Sequence, residues 1–137
     1  MALIERALQK YAVKGVTVDP NTKVELLRLS SSTKEQFVLL TINVTNSGGA
    51  KVSDIEIEIK RVIGTREQLI NPPIKSDFFP VKLGEIFLGI RGDVPERYKE
   101  GLVIPENSSL VVTAYNPTGS SVSLNCEVEY IRELYEW

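Results

Sequence analysis

Two pairs of glutamates stand two residues apart in this chain, Glu56 with Glu58 and Glu127 with Glu129, and the single thiol, Cys126, adjoins the second pair. Paired carboxylates can perform general acid and base chemistry, but only when they flank a shared space and differ in environment. A thiol becomes a nucleophile or metal ligand as the thiolate, which needs an activating base or cation beside it. The chain has no histidine. That removes Ser-His-Asp and Cys-His mechanisms and the commonest metal ligand.

The spacing of these residues argues against chemistry. In "KVSDIEIEIKRV", Val52, Ile55, Ile57 and Ile59 alternate with Glu56, Glu58 and Lys60. A period of two places the isoleucines on one face of a strand and the carboxylates on the wet one. Cys126 in "VSLNCEVEY" shares the parity of Val122, Leu124, Val128 and Tyr130, so it is read as a small buried hydrophobe and Glu127 and Glu129 as solvated residues. One cysteine can form neither an intrachain disulfide nor a thiolate cluster.

Other motifs are equally spare. "GEIFLGIRG" lacks both the GxGxxG spacing and the Walker lysine, so it offers no phosphate cradle. The acidic stretches "DVPE" and "SDFF" carry too few regularly spaced oxygens for an EF-hand type calcium loop. Arg91-Gly92-Asp93 matches the tripeptide that integrins recognise and is read as an ordinary turn. The sequons at Asn43 and Asn107 are read as strand and turn residues. No catalytic, cofactor-binding or metal-binding residue is assigned, and no cofactor is expected.

The elements behind these positions are strands. "EQFVLLTINVT" alternates through Val38, Leu40, Ile42 and Val44 and leads by "NSGGA" into the Ile55–Ile59 strand, which predicts an antiparallel hairpin. "VKGVTV" and "KVELLRL" flank "DPNT", a second hairpin candidate whose Pro20 presets the turn. "VKLGEIFLGI" and "LVI" before Pro105 read as further strands, and "NPTGSS" turns the chain between Leu110, Val112, Ala114 and the closing strand Val122 to Tyr130. About eight short antiparallel strands, each with one apolar face and no long helix between them, predict an all-β, two-sheet antiparallel sandwich, wired economically as a jelly roll. Its expected core is Val38, Leu40, Ile42, Ile55, Ile57, Ile59, Leu110, Val112, Leu124, Cys126 and Val128.

Two segments stand apart. In "ALIERALQKYA", Ile4, Ala7, Leu8 and Tyr11 fall at i, i+3, i+4 and i+7, which predicts a short amphipathic helical arm over residues 1–12. "GTREQLINPPIKSDFFP" holds three prolines and is read as a long connection. The sandwich domain then covers residues 13–131 and a C-terminal tail residues 132–137. Eight strands suffice for a core, so the apolar residues left over (Leu3, Ile4, Leu8 and Tyr11 of the arm, Phe78 and Phe79 of the connection, Tyr135 and Trp137 of the tail) form a candidate subunit interface.

Composition sets the outer limits. The chain has 137 residues, 42% of them hydrophobic and 25% charged, enough for one domain with a core. Sixteen basic against eighteen acidic residues give a net charge of −2, so no broad positive field draws nucleic acid. Glu5, Arg6 and Lys10 interrupt the N-terminal apolar residues, so no export signal is visible. Runs such as "FVLL" fall far short of the roughly 18 to 20 residues that span a bilayer. A soluble chain is expected.

"IPENSSLVVTAYNPTGSSVSLNCEVEYI", residues 104–131, resembles the closing strands of single jelly-roll virion proteins: a proline and polar turn, a strand ending in Asn, a small-residue turn and a final alternating strand. The resemblance implies a capsid, penton or turret component located in the virion. Such a protein works by assembling as a symmetric homo-oligomer with other structural proteins, without enzymatic activity or a small-molecule ligand. The alternative is a cell-surface or ligand-binding module, because "LLTINVTNSGGAKVSDIEIEI" is similar to the strand-turn-strand of Ig-like adhesion domains. A carbohydrate-binding sandwich would display grouped aromatic rings, and the five tyrosines and one tryptophan are not grouped in sequence.

Overall fold

The computed structural model describes residues 2–46, 54–69, 74–75, 79, 81–82 and 101–136. Ten strand segments run in chain order: β1 (Ala2–Val18), β2 (Thr22–Ser30), β3 (Glu35–Asn46), β4 (Glu56–Ile63), β5 (Arg66–Leu69), β6 (Ile74–Lys75), β7 (Val81–Lys82), β8 (Leu102–Ile104), β9 (Ser108–Asn116) and β10 (Val122–Glu136). They make two five-stranded antiparallel sheets. One has the order β1-β10-β3, with β7 and β8 following each other along the far edge of β3; the other has β2-β9-β4, with β5 and β6 along the far edge of β4. Among the described residues no helix is long and apolar enough to cross a membrane.

The apolar parity of each strand builds the core between the sheets. Ile55, Ile57, Ile59, Leu110, Val112, Leu124, Cys126 and Val128 are all buried in it, while Glu56 and Glu58 keep the opposite, partly exposed side. In β3 the expected alternation breaks. Glu129 lies opposite Thr41 but Tyr130 lies opposite Leu39, so Leu40 is the extra residue of a bulge. A bulge inverts parity beyond itself. Phe37 and Leu39 therefore enter the core in place of Val38 and Leu40, Leu40 is only half-buried, and Val38 is buried on the outer side of the sheet. Phe37 meets Tyr130 edge-on, with ring centroids 4.9 Å apart.

None of the three expected hairpins forms a ladder. β1 and β2, β3 and β4, and β9 and β10 lie in opposite sheets. Turn chemistry reverses a chain, but it does not choose the neighbouring strand; here the chain passes from one sheet to the other between the members of each pair, so that the apolar faces of β2, β3, β4, β9 and β10 meet in the core. Asn116 ties two of these crossovers together at one end of the sandwich. Fully buried, it donates from Nδ2 to the carbonyls of Val18 (3.0 Å) and Ser120 (2.7 Å) and accepts from the Thr118 amide at 3.0 Å. Asn21, at φ 58°, donates its amide back to the Asn116 carbonyl at 2.6 Å.

The N-terminal helical arm is not present. Residues 2–18 are one continuous strand, paired with β10 from Ala2 opposite Glu136 to Val18 opposite Val122. A helix of about ten residues is marginal in water, whereas the long β10 offers a full row of backbone partners. Both proposed boundaries, 12/13 and 131/132, fall inside β1 and β10, so arm and tail are the outer part of one ladder. Ile57, with no exposed surface in the middle of β4, tests this packing: Ile57→Ala is expected to cost about 2 to 5 kcal/mol in chemical denaturation, against under about 0.5 kcal/mol for Glu56→Ala on the opposite face.

Candidate interaction surface

The residues first considered for chemistry share no site, and Glu58, Glu127 and Glu129 each stand beside a lysine. Glu58 pairs with Lys23 and lies 4.0 Å from Lys60; Glu127 and Glu129 lie 3.9 and 3.8 Å from Lys10 on the neighbouring β1. Burial pushes the Cys126 thiol up to about 12, so it stays protonated at neutral pH and lacks nucleophilic character. Among the described residues no group of three or more His, Cys, Asp or Glu side chains comes together as a metal site. A recess of about 130 Å³ beside Lys14, Asn43, Thr45, Asn125 and Glu127 is smaller than the roughly 300 Å³ at which small-molecule pockets begin. A second, of about 380 Å³, lies at the β4–β5 hairpin. There Arg61 is already engaged, donating to the Val103 carbonyl at 3.0 Å and to Gln68.

The candidate interface residues divide. Leu3, Ile4, Leu8 and Tyr11 are 44, 61, 64 and 41% exposed and all stand on β1, the edge strand of its sheet among the described residues. Strand geometry separates what a helix would have grouped. Leu8 lies opposite Ile131 on the outer face, while Tyr11 lies opposite Val128 on the side facing the second sheet, and Ile4 is the extra residue of a bulge between Leu3 and Glu5. Phe79 packs against the core and so is no free surface. Tyr135 is half-buried, and its hydroxyl donates to Glu133 at 3.0 Å. Phe78, Trp137 and residues 91–93 lie outside the described residues.

Two residues absent from the sequence reading hold β1 in place. Glu133 on β10, only 1% exposed, accepts from Arg6 Nε of β1 at 3.1 Å and from Gln36 Nε2 of β3 at 2.6 Å, joining three strands. On the core-facing side Gln9 of β1 accepts from the Tyr130 hydroxyl at 3.1 Å. An i, i+2 repeat marks Glu133 as one more outward acid after Glu127 and Glu129. Its burial comes from cross-strand neighbours that no local pattern reveals.

At the same end of the sheet, on the core-facing side, Glu35 pairs with Arg132 and accepts from the Ser32 amide at 3.0 Å. Burial pushes its carboxyl up, yet the Ser32 amide and the Arg132 guanidinium together outweigh burial, and its pKa is lowered. A lowered pKa contributes stability that is complete above the ordinary glutamate range and is lost as pH falls through the lowered value. Glu35→Gln is expected to lower stability at neutral pH by about 1 to 2 kcal/mol. It should also flatten the acid limb of a denaturation-midpoint series; an acid limb unchanged from wild type would contradict this role. No family model matches this chain, and no curated protein matches it in sequence.

Proposed function

We propose that this chain is a non-enzymatic assembly protein, a virion component of capsid, penton or turret type that acts as a symmetric homo-oligomer among other structural proteins. The observation that carries this reading is the concentration of exposed apolar side chains on one edge strand. Leu3, Ile4, Leu8 and Tyr11 all stand on β1, whereas the other large exposed hydrophobics among the described residues, Ile63 and Leu69, sit at the β4–β5 hairpin. Long, apolar edge strands are a liability in a free monomer and an asset at an interface.

The particle-component part of the reading draws on wiring. β1 pairs with β10, β2 with β9, β3 with β8 and β4 with β5. This nesting is what a long hairpin wrapped into two sheets produces, and it supports the jelly-roll assignment. Together with the resemblance of residues 104–131 to virion jelly rolls, it favours assembly over catalysis.

Native mass spectrometry and sedimentation of the purified chain test the proposal. A discrete symmetric oligomer at micromolar concentration is the expected result. A monomer at every concentration would overturn it.

A further inference from the structure

Nothing in the sandwich itself says how two copies would meet, but the edge of β1 carries a register. Between its two bulges, the first separating Leu3 from Glu5 and the second Val13 from Val16, β1 runs unbroken from Glu5 to Val13. The second bulge contains Gly15 at φ +68°, a conformation that glycine adopts freely, and it bends the strand beyond it. No proline or glycine interrupts the Glu5–Val13 run. Among the described residues it is paired on one side only, with β10. Such a run presents a row of outward backbone donors and acceptors ready to take another strand.

The side chains select the partner. A twofold axis perpendicular to the sheet keeps each face continuous and sets β1 antiparallel to β1 of a second copy. Centred on Gln9, the pairing places Glu5 opposite Val13, Ala7 opposite Tyr11 and Gln9 opposite itself on the core-facing side. On the outer side Arg6 lies opposite Ala12 and Leu8 opposite Lys10. The whole unbulged run is then used and no like charges face each other. Centring on Leu8 would set Arg6 against Lys10, and centring on Lys10 would set it against itself, arrangements that cross-strand repulsion disfavours. Centres nearer either end leave about half the run unpaired.

We infer that two copies of this chain join edge to edge through β1, antiparallel about Gln9, making the β1-β10-β3 sheet continuous across a twofold dimer. The inference rests on the homo-oligomer proposed above and names the surface that builds it. In this register Leu8, 64% exposed in the single chain, is covered by the aliphatic stem of Lys10 of the second copy. Tyr11 lies over the small Ala7 of the second copy, so a large residue meets a small one on each side of the axis. The interface is isologous and closes on itself, as twofold dimers do.

Substitutions at Leu8 give a sign-specific test, because the side chain is exposed and neither change should unfold the sandwich. Leu8→Lys sets a lysine against Lys10 at two symmetric places and is expected to raise the dimer dissociation constant by about tenfold, while Leu8→Glu sets a carboxylate there and is expected to lower it. Gln9→Cys gives an independent readout. Cα atoms directly opposite in an antiparallel pair lie about 4.5 to 5.5 Å apart, within disulfide range, so mild oxidation should yield a covalent dimer. The native thiol, Cys126, is buried and should not compete. Circular dichroism confirms folding of each variant. An oligomer whose mass ignores both Leu8 changes and does not crosslink at position 9 overturns this interface while leaving assembly itself standing. A wild-type chain that is monomeric throughout removes both.

Discussion

β10 is held on both sides, and the rest of the molecule depends on it. Its fifteen residues pair along nearly their whole length with β1 on one edge and β3 on the other, so the first and last strands of the chain are neighbours. Among the described residues β1 has no partner in its sheet without β10, and β3 keeps only the short β7 and β8. Sheet closure between chain ends is a non-local contact, costly in loop entropy and rewarded only when the full ladder forms. The core, the edge strand and the crossovers at Asn116 all follow from that pairing.

That arrangement accounts for the distribution of polar residues. The buried Asn116, Glu133 and Glu35 sit where strands of different origin meet, and each is partnered there. Asn116 joins the β1–β2 and β9–β10 crossovers, Glu133 joins β1, β10 and β3, and Glu35 with Arg132 closes the end of the core beside Phe37 and Tyr130. A buried polar group left without partners would cost more than it contributes. In this sandwich such groups specify which strands are adjacent, a choice that apolar burial alone leaves open. The outward carboxylates of β4 and β10 do the opposite. Glu127 and Glu129 face Lys10 on the neighbouring β1, and Glu58 pairs with Lys23 of β2 across the intervening β9; near the solvent surface such ion pairs add little stability but keep like charges apart.

Assembly through β1 would reuse the rule that builds the monomer. β10 is stabilised by a strand on each edge, and among the described residues β1 has one edge filled. Its bulges and its Arg6, Lys10 and Lys14 are features that limit indiscriminate edge pairing. The unbulged run between them is long enough for strand pairing, and its Arg6 and Lys10 disfavour the neighbouring registers. Negative and positive selection are thus written in the same strand.

Period-two alternation in residues 56–60 and 122–130 determined, without any tertiary information, that these segments are strands, which face is apolar and that Glu56, Glu58, Glu127 and Glu129 lie on the other one. The reason is local: successive side chains of a strand point to opposite faces. Composition likewise determined that the chain has no histidine to support the commonest catalytic arrangements. Only the tertiary structure decided three other matters. It made residues 2–12 a strand, because β10 supplies ladder partners that the i, i+3, i+4, i+7 pattern of Ile4, Ala7, Leu8 and Tyr11 cannot anticipate. It inverted the parity of Phe37 and Val38, because a bulge depends on the register of the strand opposite. And it set β1 and β2, β3 and β4, and β9 and β10 in opposite sheets, because turn residues can reverse a chain whereas burial of the flanking strands, a property of the whole fold, selects their partners.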